Sequence, residues 1–229
     1  MTRYTLIIVF VAAMLIPAQA FALGELRIGG AVLVKPGAEL DPASEKDLLS
    51  GPYVGLDFQL VELYRGGLTL GMNIEGTSAS NTVYQRYDTS LETLTLQAMV
   101  GYRLWITDWM SLWAGVGAGA DRGIFGITNR RELYDEEKIT DKKWNWNVSG
   151  TAALTLYLPQ SLVKSWKPWD DFNFGLSFEG GYIYRPAFDF RVAEVFDNPD
   201  DSQLSVSETD MGSLDLSGGF FRVGVVWAF

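Results

Sequence analysis

The side chains of this chain that could do chemistry are carboxylates, arginines, lysines and hydroxyls, because the sequence contains neither histidine nor cysteine. A Ser/His/Asp arrangement needs an imidazole as its general base, and a thiolate nucleophile needs a cysteine. The usual nitrogen and sulfur ligands of zinc are missing for the same reason. We therefore predict no catalytic residue and no cofactor, and we expect the protein not to be an enzyme. Asp197, Asp200 and Asp201 could coordinate calcium through oxygen ligands, but their spacing matches no defined loop motif, so a solvated acidic surface is favoured and no metal site is predicted.

Six charged residues occupy positions that an extended strand would turn to its polar face, since side chains alternate between two faces. They are Arg27, Asp57, Glu75, Arg103, Glu179 and Arg222. We predict that they form one charge network inside the fold, because neighbouring carboxylates are tolerated beside a cation. Arg222 is the expected partner of Asp57 and Glu75, and Glu179 is expected at a similar height.

Three interpretations of this network stay open. The favoured one is a set of buried salt bridges that fills the interior, in which loss of one partner leaves a buried charge at a cost of roughly 3 to 5 kcal/mol. The others are a narrow hydrophilic path or gate, and a pair of carboxylates that share a proton for a catalytic task.

The elements that position these charges are eight segments in which apolar and polar residues alternate, a pattern that predicts β-strands. The predicted strands are Glu25–Val34, Pro52–Tyr64, Leu68–Thr77, Leu91–Ile106, Ser111–Asp121, Trp144–Leu158, Asp171–Tyr184 and Gly219–Phe229. Long polar loops are expected at 35–51, 78–90, 122–143 and 185–217, and shorter connections at 65–67, 108–110 and 159–170. This alternation predicts an all-β fold, an eight-stranded antiparallel up-and-down transmembrane β-barrel with the shorter connections in the periplasm.

The turn between the second and third predicted strands sets their register. If a three-residue loop centred on Gly66 forms, with a glycine in a left-handed position, Leu60 lies opposite Met72 and Asp57 lies opposite Glu75. Both strands then keep their apolar faces on the same side.

The next tight turn predicts a second register. Centring it on Trp109 places Arg103 opposite Gly115 and Met99 opposite Gly119. Large side chains then face positions without one, as a narrow and filled barrel requires. The same glycine-rich strand could alternatively line a channel.

The last predicted strand ends the chain in a row of apolar and aromatic residues on one face. The row consists of Phe221, Val223, Val225, Trp227 and Phe229. A terminal aromatic carboxylate in this setting resembles the C-terminal signal by which bacterial outer-membrane barrels are recognised for insertion.

Aromatic residues near the edges of the apolar segments suit a membrane interface, where indole and phenol rings settle. The expected anchors are Trp109, Trp144, Trp146, Trp166, Trp169, Tyr182 and Tyr184. In the connector 159–170, lysines accompany two of these tryptophans, and their long side chains can keep the ammonium group in water.

The start of the chain has the pattern of an export signal. The basic segment Met1–Arg3 precedes the apolar run Tyr4–Ile16, and the small residues that end at Ala20 or Ala22 fit the cleavage rule. The apolar run is short for a retained membrane anchor. We therefore predict a signal peptide over residues 1–22.

Residues 23–229 are expected to form one outer-membrane barrel domain. Removal of Arg3 with the signal leaves a formal charge of 17 − 28 = −11, which argues against nucleic-acid binding. Lys142–Lys143 and Arg130–Arg131 could meet the phosphates of lipopolysaccharide, although acidic residues stand between them. A monomer is expected.

In architecture the mature chain resembles the small eight-stranded outer-membrane proteins of Gram-negative bacteria, such as the transmembrane domain of OmpA, OmpX and OmpW. The resemblance implies contact with outer-membrane lipids and with the barrel-assembly machinery during insertion. The lipid A enzymes among small barrels resemble serine-dependent catalysts with a histidine base, which this chain lacks.

From these observations we expect a non-enzymatic integral protein of the cell outer membrane, with a largely plugged lumen and loops displayed outside for structural or surface-interaction roles. The first alternative is a minor pore or conduit for small or hydrophobic solutes, by analogy with OmpW. The second alternative is a lipid-modifying enzyme.

Overall fold

The computed structural model describes residues 24–35, 47–63, 65–83, 87–129, 138–159, 173–192 and 209–229. Within these ranges the chain forms ten β-strands. They are β1 (Gly24–Val34), β2 (Leu48–Leu63), β3 (Gly66–Val83), β4 (Tyr87–Thr107), β5 (Met110–Asn129), β6 (Lys138–Tyr157), β7 (Asn173–Tyr184), β8 (Phe188–Val192), β9 (Thr209–Leu214) and β10 (Gly218–Ala228). No helix formed by the described residues is long and apolar enough to cross a membrane.

Eight of these strands close a ring through backbone pairing. Strands β1 to β7 follow one another as antiparallel neighbours, and β10 joins β7 to β1. The closing seam runs from the pair Glu25 and Ala228 to the pair Val34 and Gly219. A closed ring satisfies the backbone groups of every strand, which a sheet in lipid requires. The predicted fold class is therefore confirmed as an eight-stranded antiparallel up-and-down barrel.

The two ends of the barrel differ, and we name them by their connections. The turn end carries the tight turns at Arg65 and at Asp108–Trp109, together with the end of the closing seam where Gly24 and Phe229 exchange backbone hydrogen bonds. The opposite end, where β3 leads towards β4 and β5 leads towards β6, is called the loop end.

Strands β3 to β6 extend further at the loop end than the sequence predicts. They take up most of the predicted loops 78–90 and 122–143, so those two loop assignments were wrong. Small and polar residues make up most of these extensions, and they hide the alternation of apolar and polar residues on which the prediction depends.

These extensions form a projecting sheet. Strand β2 accompanies β3 only as far as the pair Ser50 and Ser78, and β7 accompanies β6 only as far as the pair Tyr184 and Val148. Beyond those pairs, β3, β4, β5 and β6 continue together as a four-stranded sheet. We call this part the projecting sheet.

The predicted loop 185–217 also contains regular structure. Strands β8 and β9 pair with each other as a separate two-stranded sheet. The prediction of a polar loop was wrong for these two segments, because five-residue and six-residue strands are too short to give a clear alternating pattern.

The register of β2 and β3 differs from the predicted one. Asp57 pairs with Gly71, four positions before Glu75 (75 − 71 = 4), and Met72 pairs with Leu56. The expected contact between two opposed carboxylates is therefore wrong.

The cause of this difference lies in the turn and in one bulge. Leu63 pairs with Gly66, so the turn is tighter than a three-residue loop, and Arg65 rather than a glycine takes the left-handed position, with φ of 53°. The pairing also shifts between Gln59 and Val61, where a bulge inserts an extra residue. Neither feature follows from the apolar pattern.

The register of β4 and β5 is displaced by two positions. Arg103 pairs with Trp113, and Met99 pairs with Gly117 rather than Gly119. Here too the turn is tighter than predicted, and a bulge follows Trp105.

The interior space left by glycines is used by other side chains than expected. The indole of Trp113 covers the positions where Gly101 and Gly115 would carry a Cβ, and the sulfur of Met99 does the same at Gly117. Large side chains thus meet missing ones, but Trp113 takes the place that was predicted for Arg103.

The outer wall of the barrel carries a continuous apolar belt. Large apolar side chains on the outward face stay exposed, including Val116 at 65% and Val225 at 57%. Transmembrane β-barrels carry an outward-facing apolar band about 25 Å tall. An exposed apolar surface of this size is unfavourable in water, and it fits a barrel that spans a membrane.

Most of the residues predicted to form the insertion signal and the interfacial anchors fall in the described part of the chain, on the outer surface of the barrel. Phe221, Val223 and Val225 are exposed, and Trp227 and Phe229 are half-buried at the turn end. The exposed expected anchors are Trp109 at the turn end and Trp144, Trp146, Tyr182 and Tyr184 towards the loop end. Trp166 and Trp169 lie outside the described residues. The roles of these residues as insertion signal and anchors stay predictions.

Candidate functional site

The turn-end half of the lumen holds a network of buried charged side chains, with Arg27 at its centre. The Nη1 atom of Arg27 donates to Glu179 Oε1 at 2.5 Å, and its Nη2 atom donates to Asp57 Oδ2. The side chains of all three residues are almost fully buried. Arg27 therefore joins carboxylates from two other strands.

Arg222 extends the network across the lumen. Its Nε atom donates to Glu75 Oε2 at 2.7 Å, and its Nη1 atom donates to Glu179 Oε2 at 3.4 Å. The hydroxyl of Tyr53 also donates to Glu179, at 2.9 Å. Arg222 thus joins two of the three predicted acids, whereas Asp57 is held by Arg27 instead.

Arg103 carries the network towards the turn end. Its Nη2 atom donates to Glu25 Oε2 and lies 3.8 Å from Asp57 Oδ2. The hydroxyl of Tyr157 donates to the other oxygen of Glu25. Glu25 is therefore held from two sides.

Sequence reasoning missed three members of this network: Glu25, Tyr53 and Tyr157. Glu25 stands two residues before Arg27 and shares its face of β1, so the period-two pattern could have identified it. The tyrosines gave no such signal, because an inward tyrosine fits both an aromatic filler and a hydrogen-bond donor.

The network contains more acids than bases. Glu25, Asp57, Glu75 and Glu179 supply four negative charges, and Arg27, Arg103 and Arg222 supply three positive ones, so the formal sum is 3 − 4 = −1. Each carboxylate accepts a hydrogen bond from a guanidinium group. This arrangement positions charges against one another and fills space, which matches the favoured structural interpretation.

Above the charge network lies a layer of amide and hydroxyl side chains, which we call the polar layer. It consists of Asn73, Gln97, Asn147 and Ser149, all buried. Gln97 Nε2 donates to Asn147 Oδ1 at 2.7 Å and to Ser149 Oγ at 3.0 Å. It reaches them across β5 because Gly119, which lies between Gln97 and Asn147 in the pairing, has no side chain.

Part of the polar layer has no partner within the described protein. Both polar atoms of the Asn73 side chain, Gln97 Oε1 and Asn147 Nδ2 are buried without a hydrogen bond. Buried amide groups of this kind normally bind water.

A second ion pair lies nearer the loop end. Arg185 Nε donates to Asp121 Oδ2 at 2.8 Å, and Arg185 Nη2 donates to Thr95 Oγ1 at 3.0 Å. The hydroxyl of Thr95 in turn donates to Asp121. Arg185 was not predicted, because it stands at the edge of a predicted strand and a predicted loop.

The loop-end half of the lumen is filled by apolar side chains, which we call the apolar cap. Its buried members are Leu33, Leu49, Leu91, Phe125, Ile183, Phe188, Phe190, Leu216 and Phe220. Phe188 and Phe190 come from β8, and their rings stack on each other with centroids 5.8 Å apart. Phe190 also contacts Phe125 of the wall, with ring centroids 5.6 Å apart.

At the rim of the loop end, Lys35 Nζ lies 2.6 Å from Asp215 Oδ2. Partial burial by itself would raise the pKa of Asp215, but the hydrogen bonds from Lys35 and Ser217 outweigh it and leave the pKa below its ordinary value. Among the described residues, no cluster of three or more acidic side chains is placed to hold a metal ion.

No family model matches the chain, and no curated protein matches it. Among solved structures it is similar to Ail, the attachment invasion locus protein of Yersinia pestis, at 12% identity and a TM-score of 0.46 over 90% of this chain and 98% of Ail. It is also similar to the outer membrane protein OprG from Pseudomonas aeruginosa, at 15% identity and a TM-score of 0.45 over 90% of this chain and 95% of OprG. Values this low leave function to be judged on the geometry of this chain alone.

Proposed function

We propose that this chain is a non-enzymatic integral protein of the cell outer membrane, with its turn end in the periplasm and its loop end outside. The observation that carries the proposal is a closed barrel with an apolar belt on its outer wall and buried charged, polar and apolar side chains on its inner face. Two tight turns at the turn end, and four strands that project past the ring at the loop end, support this orientation, because outer-membrane barrels have short periplasmic turns and longer extracellular segments.

The proposed role outside the membrane is interaction through the projecting sheet and the loops. The outward face of this sheet carries Ser78, Ser80, Ser90 and Lys142, all accessible or partly accessible. Among the described residues, none of the large apolar side chains that stay exposed lies at 78–92 or 122–143. A polar sheet held rigidly above the membrane offers partners a fixed surface, whereas a filled lumen offers them no passage.

Outer-membrane lipids are the second proposed contact. Arg122 lies over the ring of Trp144 at 5.8 Å, and exposed Lys142 stands diagonally beside it on the neighbouring strand. Two cations next to exposed indoles suit the phosphates of lipopolysaccharide. In the expected basic pair Lys142–Lys143, the Nζ atom of Lys143 lies 3.5 Å from Asp141 Oδ2. The other expected pair, Arg130–Arg131, lies outside the described residues.

Export and assembly complete the proposal. Residues 1–22 act as a cleaved signal peptide, and the C-terminal row that ends in Phe229 is recognised by the barrel-assembly machinery. The mature chain acts as a monomer and binds no nucleic acid, in line with its acidic composition.

The orientation can be tested with single cysteines, because the chain itself contains none. The Ser80→Cys variant places a thiol on the exposed projecting sheet, and the Asp108→Cys variant places one on the exposed turn end. A maleimide that cannot cross the outer membrane should label the Ser80→Cys variant on intact cells, and should label the Asp108→Cys variant only after lysis. The reverse pattern would overturn the proposed orientation.

A conduit is the second candidate, and the buried amide atoms without partners in the polar layer favour it, since they suit a hydrated path. Planar-bilayer recordings on the purified barrel separate the two candidates. The proposed filled lumen predicts no reproducible conductance. Conductance that changes in the Arg222→Gln or Glu75→Gln variant would establish the conduit instead.

A lipid-modifying activity is tested by mass analysis of lipid A from cells with and without the protein. The proposal predicts identical lipid A, because the chain lacks the histidine base of the serine-dependent catalysts that the small-barrel lipid A enzymes resemble. A changed acylation pattern would contradict it.

A further inference from the structure

The hairpin of β8 and β9 occupies the loop end of the lumen without belonging to the barrel wall. Its strands pair with each other, and within the described residues neither pairs with a barrel strand. Phe188 and Phe190 nevertheless reach the inner face of β5, where a Cβ on Gly123 would lie 3.0 and 3.1 Å from their rings. The hairpin is therefore inserted into the barrel mouth by its side chains.

Such a hairpin can leave the mouth as a unit. A two-stranded sheet alone is marginally stable in water, so this one depends on the apolar cap that it completes. Its departure would break no hydrogen bond between the described barrel strands. The barrel could thus stay closed as a ring while its mouth opens.

One residue holds the hairpin in place at both of its ends. Arg185 precedes β8, and its backbone N–H donates to Ser217 Oγ, while Ser217 Oγ donates to the carbonyl of Arg185. Its guanidinium donates to Leu216 O at 2.9 Å. The same guanidinium is paired with Asp121 in the wall. Arg185 therefore ties the two ends of the segment to each other and to β5.

Two further contacts support the closed position. Asn145 Nδ2 donates to the carbonyls of Pro186 and Ala187, and Asp141 accepts from the backbone N–H of Arg191. These bonds are exposed or partly exposed, whereas the bond of Arg185 to Asp121 is buried. The largest electrostatic contribution to closure thus comes from Arg185.

We propose that the hairpin of β8 and β9 is a lid that opens and closes the loop end of the lumen, and that Arg185 is its latch. The apolar cap that the lid completes adjoins the polar layer, because Ser149 of that layer pairs with Ile183, which packs in the same cluster as Phe188 and Phe190 of the lid. Opening gives small polar solutes access to the polar layer, while the charge network still blocks the path to the turn end.

Two serine-to-cysteine reporters test the proposal in the purified full-length barrel, which has no other thiol. The Ser149→Cys substitution places the upper reporter beneath the lid, and Ser111→Cys places the lower reporter at the turn end, where the side chain is also buried. In each background we would measure the rate of reaction with a charged maleimide. The Arg185→Gln and Asp121→Asn variants should speed labelling of the upper reporter by about tenfold or more, the change that a loss of roughly 1.4 kcal/mol in closure produces.

The matched control is Arg103→Gln, which removes an equally buried arginine from its carboxylate at the other end of the lumen. It should leave labelling of the upper reporter unchanged, and Arg185→Gln should leave labelling of the lower reporter unchanged. Equal rates at the upper reporter in the parent, Arg185→Gln and Asp121→Asn proteins would overturn the proposal. Faster labelling of both reporters in the Arg185→Gln and Asp121→Asn proteins would also overturn the proposal, because it would indicate general loosening of the barrel. Asp121→Asn keeps the shape of the side chain and provides a folded test if Arg185→Gln fails to assemble.

Discussion

The two halves of the lumen are filled by different means. In the turn-end half, arginines and carboxylates from the wall itself cross the interior and pair, so the filling and the wall are the same strands. In the loop-end half, much of the filling is apolar and comes from a hairpin that is not part of the ring. The charge network is therefore part of the ring itself, whereas the hairpin is docked onto the ring by its side chains.

The largest effect is expected for Arg27→Ala. This change leaves Asp57 and Glu179 buried without their shared cation, which costs about 3 to 5 kcal/mol. Reversible urea unfolding in lipid vesicles measures it. The exposed Lys142→Ala variant serves as the control and should stay close to the parent. An unchanged urea midpoint for Arg27→Ala would show that the charge network does not stabilise the turn-end half of the barrel.

The second-largest effect is a loss of unfolding free energy on truncating the apolar cap. Leu91→Ala truncates a fully buried side chain of the wall and should lower the unfolding free energy by about 2 to 4 kcal/mol. Phe190→Ala removes a larger side chain from the lid, but its effect on global unfolding cannot exceed the free energy of lid closure. We therefore expect the smaller loss from Phe190→Ala in the same urea experiment. A larger loss would mean that lid and wall unfold together.

A smaller effect is expected at the turn end from Tyr157→Phe. The variant removes the hydroxyl that donates to Glu25 but keeps the ring, at a cost of about 1.5 kcal/mol. Tyr182→Phe, on the lipid-facing wall, should change stability little. Equal stabilities of the two variants would contradict a role for the hydroxyl in the network.

The smallest effect concerns acid pH at the rim. The folded-state pKa of Asp215 lies below its ordinary value of 3.8, so this carboxylate contributes stability above that pH. The contribution is lost as the pH falls through the folded-state pKa, and it is small because the side chain is partly exposed. Between about pH 5 and pH 2.5, the melting temperature should fall less for Asp215→Asn than for the parent. Equal falls in melting temperature for the two proteins would contradict the lowered pKa of Asp215.

The sequence predicted the strands of the ring because lipid on one side and a packed lumen on the other impose a strict period of two. It did not predict the pairing of those strands. Register depends on whether Arg65 can take a left-handed conformation and on a bulge after Gln59, and neither leaves a mark in the hydrophobic pattern. The face of each side chain was thus easier to predict than its neighbour.

The same reason explains which parts of the candidate site were accessible to prediction. The six inward charges could be listed from alternation alone, and the structure brings all six into one network. The pairing of these six charges could not be predicted from alternation, because it depends on the register, which brings Asp57 to Arg27. Arg185 and the hairpin escaped because they act outside the region where lipid imposes alternation.

Amide hydrogen exchange of the barrel in lipid bilayers tests most directly whether the lid opens while the ring stays closed. A closed ring with a separately docked lid predicts uniformly slow exchange around the ring, including the seam of β1 and β10, and exchange in β8 and β9 faster by about a hundredfold or more. Fast exchange at the seam, or protection of β8 and β9 equal to that of the wall, would contradict the account.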